Sequence, residues 1–166
     1  MAVTGKIDRK YMAHYIDAGS LCGGLTSKYE RLGKDLEEYN IELNPDTETS
    51  KNILGESTFK HNGYEVSSDA DPFYADTTSD LFGALQKIVD GRLKDDNLKT
   101  KAVEVHLWTE ATAGKYEAYQ QDCYVVPTSY GGDTSGYQIP FTVNYVGERV
   151  KGKFDINSGT FTADSE

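Results

Sequence analysis

The segment 102-AVEVHLWTEATAGKYEAYQQDCYVV-126 decides the fold. Val103, Val105 and Leu107 fall on one side of an extended chain, and Glu104, His106 and Trp108 on the other. That period of two belongs to a strand with two unlike faces. Between Lys115 and Val126 the alternation returns, with Tyr119, Cys123 and Val125 opposite Tyr116, Ala118 and Tyr124. Thr112-Ala113-Gly114 supplies a turn between the two runs, so the pair reads as an antiparallel hairpin.

Downstream the pattern continues. Ser129–Gly136 is a glycine-rich loop, after which Ile139, Phe141, Val143 and Tyr145 alternate in a further strand. Pro140 has no N–H to give to a ladder, so this strand is expected at an edge or bulged there. Val146-Gly147-Glu148 is read as a turn into a strand over Arg149–Phe154, and Asn157-Ser158-Gly159 as a turn into a last strand, Thr160–Ala163. Upstream lies the one helix. Leu81, Leu85, Ile88 and Val89 recur at helical spacing, Ser79 can cap the start, Asp80 suits the positive N-terminal end, and Gly91 marks the finish. At about three turns such a helix needs a sheet to lean on.

Nearer the start the signals weaken. Tyr39, Ile41 and Leu43 alternate with Glu38, Asn40 and Glu42, giving a half-buried strand that Asn44-Pro45-Asp46 breaks. Residues 46–56 are polar and acidic apart from Ile53 and Leu54, and are expected as a long functional loop over about 44–56. Ser57–Val66 reads as a strand turned at His61-Asn62-Gly63. Residues 1–24 have no clean period and are expected as an N-terminal arm, whose apolar Tyr11, Met12, Tyr15 and Ile16 would dock on another surface. The fold expected is mainly β: an antiparallel β-sandwich or part-barrel with one flanking α-helix, in a single domain over 25–166.

Composition narrows the function. A chain of 166 residues can bury roughly 70% of its unfolded surface without help from metals or disulfides. The formal net charge of -10 argues against tight nucleic-acid binding, which depends on Lys and Arg neutralising phosphates. A surface past which DNA slides would be repulsive, so acidity does not exclude passage. Twelve tyrosines against six phenylalanines and one tryptophan suit half-buried and interfacial positions. Cys22 and Cys123 form no framework, the N-terminus has no signal-peptide core, and no stretch approaches the roughly 18 apolar residues of a membrane span. A product of the cytosol with free thiols is expected.

Chemical motifs are few. Gly131 and Gly136 have the spacing of a phosphate loop, but Tyr137 and Gln138 stand where Lys and Ser/Thr are needed. Ser135 lacks the flanking glycines of a nucleophile elbow, since Asp133 and Tyr137 hold those positions. Asp69, Asp71, Asp76 and Asp80 do not follow the calcium-loop pattern, and His14, His61 and His106 show no paired ligand spacing. No catalytic, cofactor or metal residue is assigned, and a non-enzymatic role is expected.

Three stretches carry a resemblance: YERLGKDLEEYNIELNPDTETSKNILGES, DPFYADTTSDLF and SYGGDTSGYQIPFTVNYVGERVKGKFD, with KIDRKYMAHYID at the start. In order and spacing, from about Lys6 to Asp155, they resemble the tail tube (major tail) proteins of long-tailed bacteriophages and prophages. The resemblance implies packed β-sheets with a flanking helix, and hexameric rings stacked into a hollow tube through which DNA passes in the virion tail. It implies synthesis in the host bacterial cytoplasm, and as partners other copies of the chain, a tape measure protein, and tail terminator and initiator proteins. On that reading Tyr11, Met12, Tyr15 and Ile16 would reach a neighbouring subunit. Asn44, Pro45, Asp46, Lys51, Ile53 and Leu54 would bridge successive rings. Residues lining the lumen are not assigned. Six copies carry a formal charge of about -60, which would keep DNA from adhering if part of it faces inward. Two other readings are a tube protein of a contractile tail, phage-derived bacteriocin or secretion system, and a carbohydrate-binding β-sandwich that stacks sugars on tyrosines.

Overall fold

The computed structural model describes residues 2–109 and 112–164; the first residue of the expected arm and the last two of the expected domain lie outside them. Twelve strands occur among the described residues: β1 (Met12–Asp17), β2 (Tyr29–Leu32), β3 (Ile41–Glu42), β4 (Pro45–Lys51), β5 (Ser57–Tyr64), β6 (Ser67–Ala70), β7 (Lys99–His106), β8 (Lys115–Pro127), β9 (Gly131–Asp133), β10 (Gly136–Gln138), β11 (Phe141–Asp155) and β12 (Thr160–Ala163). One α-helix, α1, spans Asp80–Gly91. Eight strands form one antiparallel half-barrel sheet in the order β2-β1-β7-β8-β11-β6-β3, with β12 also paired to β11.

The long strands β8 and β11 are the spine. They pair from Phe141 opposite Pro127 to Asp155 opposite Lys115, with a register shift between Val146 and Val150. The turn expected at Val146-Gly147-Glu148 is therefore a bulge inside one continuous strand. A bulge bends its strand and raises the local twist, which is how a flat sheet curls. Pro140 sits just before β11 rather than inside it, and its carbonyl accepts Thr128 N–H at 3.0 Å.

Register places Ile16, Ala102, Cys123, Val125, Val143 and Phe141 on one face. Helix α1 lies on that face and buries Leu81 and Leu85 completely. Burying such a side chain contributes roughly 1.5–3 kcal/mol relative to leaving it exposed. Ser79 Oγ accepts Phe82 N–H at 3.1 Å and donates to Glu30 Oε2 at 2.7 Å, so the capping residue also ties the helix to β2. The helix ends at Gly91 as expected, and the next residue, Arg92, takes the left-handed cap conformation, φ 50°. A second, smaller core of Ala13, Val103, Val105, Ala118 and Phe154 fills the opposite face under Tyr15, Tyr29, Tyr116 and Phe161.

Four expectations for the N-terminal half need correction. The segment expected as a docking arm forms β1, which pairs with β2 on one side and β7 on the other. Its Ala13 enters the smaller core and its Ile16 the larger, each 1% exposed. The loop expected over 44–56 is a strand and a tight turn: β4 and β5 form a separate hairpin closed at residues 52–56. Asn62-Gly63, expected as the turn, is a bulge opposite Asp46 and Thr47. The strand expected over Glu38–Leu43 shortens to β3. Tyr39 lies before it, buried, with its hydroxyl 2.6 Å from Ser68 Oγ.

Candidate functional site

The β4–β5 hairpin stands off the sheet. Every residue from Glu42 to Asn62 is exposed, and the two strands pair only with each other. Asn44 fixes its base, with Nδ2 donating to Glu65 O at 2.9 Å and to Ser67 Oγ at 3.1 Å. Asn52 builds its tip. Its Oδ1 accepts the N–H of Leu54 at 2.9 Å and of Glu56 at 3.0 Å, and its Nδ2 donates to Glu56 Oε2 at 3.0 Å. These bonds leave Ile53 and Leu54 pointing into solvent, 102% and 75% exposed. Register also sorts the two sides of the hairpin. Thr47, Thr49, Phe59 and His61 share one side, and Glu48 and Lys60 pair on the other. Phe59 and Tyr64 are both largely exposed, and the His61 and Tyr64 rings pack 4.7 Å apart.

A groove of about 500 Å³ opens on the helix-bearing face, beyond the helix. Met12, Ile41, Leu43 and Val66 give it an apolar wall, and Arg9, Glu104 and Arg149 give it charge. Arg9 donates to Met12 O at 2.7 Å and Tyr39 O at 2.8 Å, and its guanidinium lies 2.9 Å from His14 Nε2. Burial, then the Arg9 charge, lowers the His14 pKa to about 4, so His14 is neutral near pH 7 and accepts from Arg9. Burial pushes the Glu104 carboxyl up, but its hydrogen bond to His106 and the Arg149 charge outweigh this and hold it below its ordinary value. Glu104 bridges His106 at 2.9 Å and Arg149 at 3.2 Å, and the Arg149 guanidinium lies 4.2 Å from the Tyr119 ring centre.

The other motifs resolve into local structure. The glycine-rich loop is the small β9–β10 hairpin, in which Ser135 N–H donates to Asp133 Oδ1 at 2.8 Å. Asp76 is engaged by Thr78 and by Lys34 at 3.0 Å, and its carboxyl is held well below the usual range, first by the Thr78 hydroxyl. Asp80 pairs with Lys28 at 2.6 Å. Burial pushes the Cys123 thiol up to about 12, which makes it a poor nucleophile. Among the described residues, no group of three His, Cys, Asp or Glu side chains is placed to hold a metal ion.

Of the residues singled out in the sequence, Asn44 forms the hairpin base, Pro45, Asp46 and Lys51 lie on β4, and Ile53 and Leu54 form the tip. Tyr11, Met12, Tyr15 and Ile16 are brought instead into or beside the sheet of their own chain, where Met12 and Ile16 help line the groove. Sequence reasoning missed Phe59 and Tyr64 on the hairpin and Arg9 and Arg149 in the groove. The alternation of Phe59 and His61 was a usable signal for the first. Nothing local marks the arginines, which line one groove only because of the strand order of the sheet. No protein-family model matches the chain, and no curated protein matches it.

Proposed function

We propose that the chain is a non-enzymatic structural subunit that assembles with copies of itself into stacked hexameric rings, forming the hollow tail tube of a long-tailed bacteriophage or prophage. The observation that carries this reading is the projecting hairpin with the solvent-exposed Ile53 and Leu54 at its tip. A two-stranded hairpin alone in water is marginal at best, so a hairpin of this length implies a surface that receives it. The half-barrel sheet is open at β2 on one edge and β3 on the other, and the unpaired N–H and C=O groups of an open edge can pair with another chain. The resemblance in the quoted stretches supplies the ring, the tube and the tape measure, terminator and initiator partners.

Replacing residues 45–64 by Gly-Gly tests the reading. Asn44 and Glu65 are already joined by a 2.9 Å hydrogen bond, so the body closes without the hairpin. The variant is expected to melt within a few degrees of the wild type and to form no long tubes. Normal tubes from this variant would remove the hairpin from assembly and with it the main support for the reading.

A further inference from the structure

We propose that the hairpin tip of one copy seats in the groove of a second copy, with Ile53 and Leu54 against the apolar wall and the Glu56 carboxylate against Arg149. This inference rests on the reading of the chain as an assembling subunit and names the contact that joins one copy to the next.

The tip is built for insertion. It presents two adjacent aliphatic side chains on a turn locked by Asn52, in a hairpin that is otherwise mostly polar. Its carboxylate, Glu56, is exposed and takes one hydrogen bond, at Oε2, from Asn52. The groove matches in character. Its volume of about 500 Å³ lies within the roughly 300–1,000 Å³ of sites that enclose a compact ligand. Among the described residues its lining carries two guanidiniums against the one Glu104 carboxylate, with His14 neutral, on a chain whose net charge is -10. Arg149 is about half exposed, its side chain 49% accessible, and already oriented by Glu104 and Tyr119. An incoming carboxylate therefore meets a preformed cation.

The chain cannot fill its own groove. Leu43 and Val66, on the groove wall, flank the base of the hairpin in sequence. The tip lies a seven-residue strand away from that base, roughly 20 Å at the rise of an extended chain. A tip fully exposed in its own subunit and a groove at its own root fit one occupant, the tip of another copy. Tip and groove are different patches, so the contact is head-to-tail and excludes a closed dimer; placed between successive rings it does not close, and the stack can grow.

Charge reversal tests the pair. E56R and R149E alone are each expected to lower the pelletable tube fraction at least tenfold, and the double variant E56R/R149E to recover most of it. A second arm does not depend on the charges: L54C with L43C, in a C22A background, should yield disulfide-linked ladders on oxidation of assembled protein. Wild-type tubes with undiminished assembly in E56R and no ladder in the cysteine variant would overturn this contact and leave the tube reading standing. Absence of tubes from the wild type under every condition would overturn both.

Discussion

His14 lies on β1 with its ring edge-on to Tyr39, 4.7 Å between centres, and faces Arg9, Arg31 and Glu104. Its pKa of about 4 in the folded protein lies below the ordinary imidazole value of 6.5, so the unfolded chain binds more protons between those limits. Stability is then full above pH 6.5 and falls as the pH drops toward 4. At 1.36 kcal/mol per unit this residue removes about 3 kcal/mol across that window. Urea unfolding from pH 7 to 4 should show His14→Gln, which keeps an acceptor for Arg9, losing less stability than the wild type. Parallel profiles would show that His14 is not held neutral by its surroundings. Gly152 tests packing at the same scale. A methyl there would sit 2.6 Å from Phe161 Cζ and collide with the Thr162 carbonyl, so the β11–β12 pair depends on a bare Cα. Gly152→Ala is expected to cost about 1–3 kcal/mol by overpacking, read as a lower melting temperature. An unchanged melting temperature would mean that β12 does not lie against Gly152.

At the level of elements, helix α1 is the piece most legible in the sequence. Its buried residues all lie on one side, its capping serine precedes it, and its length is set by both. Leu85→Asp would bury an unpaired charge at a fully buried position and should unfold the domain at room temperature. An unchanged melting curve would mean that the helix does not pack through Leu85. Strands β7 and β8 were readable although both faces are covered, because Val103 and Val105 alternate with Glu104 and His106 and the Thr112-Ala113-Gly114 turn sets the two runs off as a hairpin. Strand β1 was not. Covered on both faces, it keeps no such alternation, and Tyr11, Met12, Tyr15 and Ile16 then look like an irregular arm. The β4–β5 hairpin failed for the opposite reason: both its faces are open to solvent, so polar Asp46-Thr47-Glu48-Thr49-Ser50 reads as a loop. Its tip residues were legible only as two apolar positions in an acidic run. The groove was invisible in the sequence, since Arg9, just ahead of β1, and Arg149, in the bulge of β11, line it together only once β1, β7, β8 and β11 lie side by side.

On the proposed contact, the whole molecule is a unit with a projecting tip, a receiving groove and a net charge of -10. Like charge opposes assembly over distances that salt screens: the Debye length falls from about 30 Å at 0.01 M to about 10 Å at 0.1 M. The seating of Ile53 and Leu54 is a burial of apolar surface that salt does not weaken, and the one Glu56–Arg149 pair that salt does screen is set against repulsion between chains of -10 each. Tubes should therefore be longer and more numerous at 0.1 M salt than at 0.01 M. The most direct measurement is negative-stain electron microscopy of the purified chain over a concentration series at both salt levels. Six-fold rings or hollow tubes that lengthen with protein concentration and with salt are expected. A uniform population of single subunits at every concentration and both salt levels would contradict the tube reading.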